Sequence, residues 1–501
     1  MLDEPPRPAS SHHGSVASVN AVLARRGQPV PGTRPVMARE DAETLAKIAI
    51  QTIYEDALVD WRYIQLTHQV VAIATVLPNG TVTSTTTDTF TLAFETSLGD
   101  GVKVNVDLNV RDVDRLRTVI RHALLHAAPP RPYPDWEKPD PDDPWHHIYG
   151  PHTYLPTTLW RDTTAAAIAT LPGDVLPRLA KVVADANLSV AATASVSARA
   201  HLCYTTLGLS AWSNATDSEV TTTARSLDGT GSGWSGHAHR DVTKLEVERV
   251  AAEAKDIALR SRGAVRAEPG RYTAILGPAA VGQLMAMTAQ AFAGGSPDGP
   301  FTSPLPNGRR NKILAQVADA RITLRTDPTD PDNGDEAFFD LGFPCGKMTW
   351  IDRGILKGLS FGPMDAAERD VTAMNVPWSM QMTGGDSSIA KMIANCERGV
   401  YVNRVSGVAI TDWHSFTMTG VTRDGCFLIK DGKIHKPIVN FRFYESPILM
   451  LTKVLALGPA ERVSFGLSSP TSSFYEWPYP PMVMPPLMVR DFNFSSLCDA
   501  V

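Results

Sequence analysis

Residues 269–285 read Pro-Gly-Arg-Tyr-Thr-Ala-Ile-Leu-Gly-Pro-Ala-Ala-Val-Gly-Gln-Leu-Met. Arg271 to Leu276 has the composition of a short strand, and Gly277 interrupts it. Pro278 then suits the first turn of a helix, where its missing N–H costs nothing, and that helix runs to about Phe292.

Downstream the chain is strand-rich. Its clearest hairpin is Cys426 to Ile434, turned by Asp431-Gly432, a pair that accepts the positive φ angles of a type I′ turn. Asp386 is expected to cap a helix from Ser387 to Ile393. Upstream, Asp241 opens a long helix over Val242 to Arg260 with Leu245, Val247, Val250, Ala251, Ala254 and Ile257 on its buried side. Ser189 to Thr223 reads as strands, and Ala165 to Asn187 as helical.

The N-terminal part is a small α/β unit. Residues 38–56 carry Leu45, Ile48, Ala49 and Ile53 at helical spacing. Strands at 63–77 and 81–95 flank the turn Pro78-Asn79-Gly80, and a third strand spans 102–110. Asp112 caps a helix reaching about His126. Residues 128–158 include PPRPYPDWEKPDPDDPWHH, too dense in proline for helix or interior strand. The expected organisation is a disordered tail at 1–30, an α/β domain at 31–127, a Pro-rich linker at 128–160 and a β-rich domain at 161–501.

The net charge of -6 argues against a nucleic-acid-binding surface, and no Lys/Arg cluster is visible. No apolar run approaches a membrane span, and the polar start lacks the apolar core of a secretory signal, so a cytoplasmic location is expected. The cysteines, Cys203, Cys345, Cys396, Cys426 and Cys498, are odd in number and widely spaced, which fits free thiols. His146-His147 reads as a surface pair, because no third ligand is spaced nearby.

Several blocks together resemble the TldD/PmbA peptidase family in linear order. They are TTLGLSAWSNATDSEVTTTARSLDGTGSGW (205–234), RDVTKLEVERVAAEAKDIAL (240–259), the opening stretch 269–285, CERGVYVNR (396–404), MTGVTRDGCFLIKDGKIHKPIVNFRF (418–443) and PPLMVRDFNFSS (485–496). The resemblance implies an α+β fold of two domains, an N-terminal α/β domain and a C-terminal antiparallel β-rich one. It covers roughly residues 190–501 and fits the first 190 in outline.

Active members of that family carry H-E-x-x-x-H on the helix after the strand, with two zinc-binding His and a Glu as general base. In this chain those positions fall on Ala286, Met287 and Ala291. The family's further Cys ligand would be expected in SSPTSSFYEWPYP (468–480), which has none. No His lies between His239 and His414, so a small alignment shift does not restore the motif. The resemblance therefore points to the metal-free TldE/PmbA-like branch, which AFAGGSPDG (291–299) also resembles. Neither a metal nor another cofactor is expected.

Thiols and imidazoles remain as candidate chemistry. Cys426 and His414 fall on neighbouring strand-like stretches and would form a nucleophile–base pair, oriented by Glu445, Asp412 or Asp424; otherwise Cys426 is a small core residue. Cys345, in the loop GFPCGK beside Lys347, is a second nucleophile or a substrate contact. Trp234, His237, His239 and Arg240 are candidates to line a substrate chamber. Cys203 and Cys396 read as core, and Gly229 to Gly233 only superficially resembles a phosphate loop.

Two readings of function follow. One is a zinc-independent enzyme of amide-bond chemistry in peptide or antibiotic biosynthesis, of the lincosamide type. It would act by thiol-dependent acyl transfer, condensing an aminoacyl group held on a carrier-protein thioester with an amine. The other is a non-catalytic TldE-type subunit that completes the chamber of an HExxxH metallopeptidase partner. Both imply a homodimer or a heterodimer with a TldD/PmbA-like subunit and a peptide or aminoacyl substrate, with no nucleic acid and no membrane.

Overall fold

The computed structural model describes residues 35–56, 62–96, 102–107, 113–126, 150–170, 175, 177–179, 188–302, 311–339, 342–465 and 481–498. It is an α+β structure built on three larger sheets.

The first sheet is antiparallel throughout and joins β1 (Arg62–Val76), β2 (Val82–Thr96), β3 (Val102–Asp107), β4 (Leu188–Thr205), β5 (Ser210–Ser226) and β6 (Ser232–His239) in the order β3-β2-β1-β4-β5-β6. Its central pair, β1 with β4, comes from opposite sides of the Pro-rich stretch, so one sheet spans the boundary expected at 128–160. Segment 1–30 and His146-His147 lie outside the described residues.

The two faces of this sheet differ in chemistry because β4 alternates. Its even positions, Ala194, Val196, Ala198, Ala200 and Leu202, are small or apolar and buried. They pack with β1 against helix α1 (Arg39–Asp56), helix α2 (Val113–His126) and helix α3 (Val247–Arg260). Leu45 and Ile53 of α1 are fully buried there, each contributing about 1.5–3 kcal/mol. Its odd positions, Ser195, Arg199, His201 and Cys203, face the other way and are buried as well.

The long helix expected from Val242 forms in two pieces, a single 3-10 turn at Val242–Lys244 and then α3 from Val247. The expected helix 165–187 is seen at Asp162–Ala167, and much of the remainder lies outside the described residues. The opening stretch folds as expected, into β7 (Gly270–Leu276) followed by α4 (Pro278–Thr288) with Pro278 in its first turn and a 3-10 turn to Phe292.

Five strands close into a ring: β7, β14 (Arg398–Asp412), β15 (Thr417–Lys430), β17 (Phe441–Glu445) and β21 (Leu487–Leu497). Pairing runs β14-β7-β21-β17-β15 and returns from β15 to β14, which removes free edges from that ring. Strand β16 (Lys433–Pro437) and β18 (Val454–Leu457) add to it. The β15–β16 turn has φ of 49° at Asp431 and 74° at Gly432, as the Asp-Gly pair requires.

The remaining sheet has the order β12 (Ile355–Leu356), β11 (Met348–Asp352), β8 (Leu324–Thr326), β13 (Gln381–Met382), β20 (Val483–Met484), β19 (Glu461–Arg462). A small pair, β9 (Phe338–Phe339) with β10 (Phe343–Pro344), lies against the polar face of the first sheet. The helix expected at Ser387–Ile393 spans Ile389–Ala394, and its cap is Ser388, which accepts from the Lys391 N–H, rather than Asp386.

Candidate functional site

Cys426 and His414 are not brought together. His414 is exposed in the turn between β14 and β15, while Cys426 lies nine residues beyond Thr417 along β15. At roughly 3.3 Å per residue that is about 30 Å. Cys426 is 3% exposed in the main core, where burial pushes its thiol up to about 12. The sequence favoured proximity because both residues belong to one hairpin, but they fall at opposite ends of it. Glu445 pairs across from Met418, far from Cys426. Its carboxylate accepts from the backbone N–H groups of Ser446 and Asn493 and has Lys453 at 3.8 Å, an anchoring role. Asp424 is engaged by the Arg404 guanidinium and the Ser232 hydroxyl, which joins the ring to the first sheet.

Trp234 is buried on β6, with the Arg404 guanidinium 4.8 Å above its ring. His237 and His239 share one face of β6, but each is used locally: their Nδ1 atoms accept from the Glu246 and Asp241 N–H groups. Burial lowers the pKa of both. The fully buried Arg240 donates to the Thr216 and Gly334 carbonyls. Cys345 is half-buried and borders a cleft, whereas Trp234, His237 and His239 do not line that cleft.

The structure assembles a different constellation on the polar face of the first sheet. His201 and Cys203, two apart on β4, point the same way, and His201 Nε2 lies 3.6 Å from Cys203 Sγ. His201 Nδ1 lies 2.8 Å from Glu336 Oε2, a carboxylate supplied by the loop before β9. Gln65 Nε2 is 2.9 Å from His201 Nε2, and the Tyr63 hydroxyl is 3.5 Å from Cys203 Sγ. The Phe338 ring packs on the imidazole at 4.9 Å between centroids.

The electrostatics favour a charged imidazolium. Burial alone would lower the His201 pKa, but Glu336 and Cys203 together raise it to about 9. Burial alone would raise Glu336, yet His201 and Arg199 hold it below the usual carboxylate range. A thiol, an imidazole and a carboxylate in this order are the elements of thiolate nucleophilic chemistry. All three are deeply buried: Cys203 is 0% exposed, His201 4% and Glu336 9%. Tyr154, Leu209 and Phe338 cover the thiol, and a Cβ at Gly342 would sit 3.4 Å from Cys203 Cβ.

The sequence held a signal for this pair. Ala198-Arg-Ala-His-Leu-Cys203 alternates apolar and reactive positions, placing Arg199, His201 and Cys203 on one face. Glu336 had no such signal, being 135 residues away in sequence.

Residues at the zinc-motif positions do not fit a metal. Ala286, Met287 and Ala291 offer no imidazole or carboxylate, and all three pack in or against the main core. Among the described residues no group of three or more His, Cys, Asp or Glu is placed to hold a metal ion.

The sequence of residues 269–496 matches the family described as the PmbA/TldA metallopeptidase C-terminal domain. That match assigns the family's C-terminal domain to these residues, which make up less than half of the chain. No curated protein matches the chain. The fold is similar to that of solved structures that cover 90–92% of this chain. A putative modulator of DNA gyrase from Thermotoga maritima is 14% identical with a TM-score of 0.69, over 90% of this chain and 99% of the other. One from Bacteroides thetaiotaomicron is 18% identical with a TM-score of 0.70, over 92% and 100%. TldE from Thermococcus kodakarensis is 17% identical with a TM-score of 0.70, over 91% and 99%. Among the described residues no helix is long and apolar enough to cross a membrane.

Proposed function

We propose that this chain is a zinc-independent PmbA/TldD-type enzyme of amide-bond chemistry whose nucleophile is Cys203, with His201 as base and Glu336 as its orienting carboxylate. The observation that carries the reading is the imidazole of His201 held between Glu336, at 2.8 Å, and Cys203, at 3.6 Å. The Cys203 sulfur bonds the acyl carbon of a thioester or amide, the bond to the leaving group breaks, and His201 gives its proton to the departing thiol or amine. An amine or water then attacks the acyl-thiol. The carbon–sulfur bond breaks, and the proton lost by the attacking group passes to His201 and restores the starting pair. With an amine the product is a new amide, and with water the overall result is hydrolysis. An aminoacyl group on a carrier-protein thioester is a fitting donor, and a reducing compartment suits the five free thiols.

Reaching Cys203 requires the cover formed by Phe338, Gly342 and Tyr154 to move. That cover also supports a second reading, in which the chain is a TldE-type subunit and the buried cluster only fastens β4 to the loop at Glu336. The test is the activity of the isolated protein on an acyl thioester with an amine acceptor. Cys203→Ser should abolish amide formation while Cys426→Ser retains it. Activity that survives Cys203→Ser, or that appears only with an HExxxH partner and is lost to a chelator, overturns the first reading and supports the second.

A further inference from the structure

The two ring nitrogens of His201 are differently placed. Nδ1 is taken by Glu336 Oε2 at 2.8 Å. Nε2 faces two groups at once, Gln65 Nε2 at 2.9 Å and Cys203 Sγ at 3.6 Å. That nitrogen carries either a single lone pair or a single proton, directed outward in the ring plane, so it makes one good hydrogen bond at a time. The shorter contact is the one to Gln65. Either end of a carboxamide satisfies it: the N–H donates to a neutral imidazole, and the carbonyl accepts from an imidazolium.

The strand register puts Gln65 in this position. In the antiparallel pair of β1 and β4, Gln65 lies directly opposite Cys203, and Thr67 opposite His201. Residues directly opposite share a face, and a long side chain also reaches the diagonal neighbour, here His201. Cys203 Sγ has the Tyr63 hydroxyl at 3.5 Å, which hydrogen-bonds the thiol without taking its proton. Tyr63, His201, Cys203 and Glu336 are all buried, whereas Gln65 is only partly so and has a solvent side into which it can withdraw. Arg199 on β4 and Tyr154 complete the titratable groups around the pair.

We infer that Gln65 is a latch on the thiol–imidazole pair, withholding His201 Nε2 from Cys203 until its carboxamide swings aside. The inference rests on the reading of Cys203 as nucleophile and names what regulates it. Gln65 acts through His201 and is a positioning residue. Once it leaves, Nε2 is free to face the sulfur. The thiol proton passes to Nε2, or to solvent where the imidazole is already charged, and the thiolate accepts the Nε2–H bond with Glu336 as counter-charge. The carboxamide also stands where the reaction needs a nitrogen, because a leaving or attacking amine must come within hydrogen-bond distance of the same Nε2. An amide or amine substrate that enters therefore replaces the latch with its own like group. Movement of the cover over the sulfur admits the acyl donor, and withdrawal of Gln65 releases the base.

Alkylation of Cys203 by iodoacetamide in the full chain, mapped by mass spectrometry, tests the latch without substrate. Gln65→Met keeps the length of the side chain and removes its hydrogen bonds. It should alkylate at Cys203 about fivefold faster than wild type or more at neutral pH, the weight of one lost hydrogen bond. Its rate should also vary less between neutral and alkaline pH, since the pair is already formed. Gln65→Glu, whose carboxylate still accepts from the imidazolium, should stay at or below the wild-type rate. Equal rates and pH profiles in wild type and Gln65→Met overturn the inference. So does Gln65→Glu reacting as fast as Gln65→Met, the mark of loosened packing alone. Gln65→Leu gives the same reading where Gln65→Met does not fold. Loading of an acyl group on Cys203 is a separate readout. Faster alkylation in Gln65→Met with no loading in either chain contradicts Cys203 as nucleophile and leaves the latch standing; loading with unchanged alkylation contradicts the latch alone.

Discussion

His201 Nδ1 and Glu336 Oε2 lie 2.8 Å apart across 135 residues of sequence, fastening the polar face of the first sheet to the loop that precedes β9. A buried pair of this kind is costly to break from one side, because the survivor is left charged without a partner. Glu336→Ala should destabilise the fold by about 3–5 kcal/mol, read as a lower denaturant midpoint.

The same pair sets a pH window for stability. The His201 pKa is raised from 6.5 to about 9, so its contribution is fully present below about pH 6.5 and is lost as pH rises through about 9. Glu336 is shifted below 4.5, so its contribution is present above about pH 4.5 and is lost as pH falls through its lower folded value. Urea midpoints measured between pH 6 and 10 should fall on the alkaline side in the wild type. In His201→Asn that fall should be reduced.

Outside the candidate site, alkylation of the thiols should follow exposure. Cys345 and Cys498 are partly exposed, whereas Cys203, Cys396 and Cys426 are buried. Alkylation of the native protein followed by mass mapping should modify Cys345 ahead of Cys396 and Cys426. Burial pushes the Cys426 thiol up to about 12, which leaves it protonated at neutral pH.

Gly233 tests the packing of α3 on β6. A Cβ added there would lie 2.2 Å from the Ala254 carbonyl oxygen and 2.4 Å from the Ala258 nitrogen, both helix backbone. Neither can yield as a side-chain tip would. Gly233→Ala should cost roughly 1–3 kcal/mol or more, seen as a lower thermal midpoint. The glycines of Gly229-Thr-Gly-Ser-Gly233 thus serve a turn and a close helix contact.

Where local rules govern, the sequence was readable. Leu45, Ile48, Ala49 and Ile53 mark the buried side of α1, and Asp431-Gly432 makes the turn it promises. The pieces that went unread depend on distant partners. Nothing local says that β4 pairs with β1 across the Pro-rich stretch, or that Glu336 arrives opposite His201. Cys426 and His414 drew attention through closeness in sequence, yet the length of an extended strand separates them. Cys203 looked like an ordinary core thiol, and it is buried as expected. Its neighbours, and not its exposure, single it out.

The most direct measurement is peptide mapping of the isolated protein after incubation with an acyl thioester of N-acetylcysteamine. An acyl group carried by Cys203, absent in Cys203→Ser and lost on addition of an amine, is the predicted result. An acyl group on Cys426 or Cys345 with Cys203 unmodified, or no covalent species during active turnover, would contradict it.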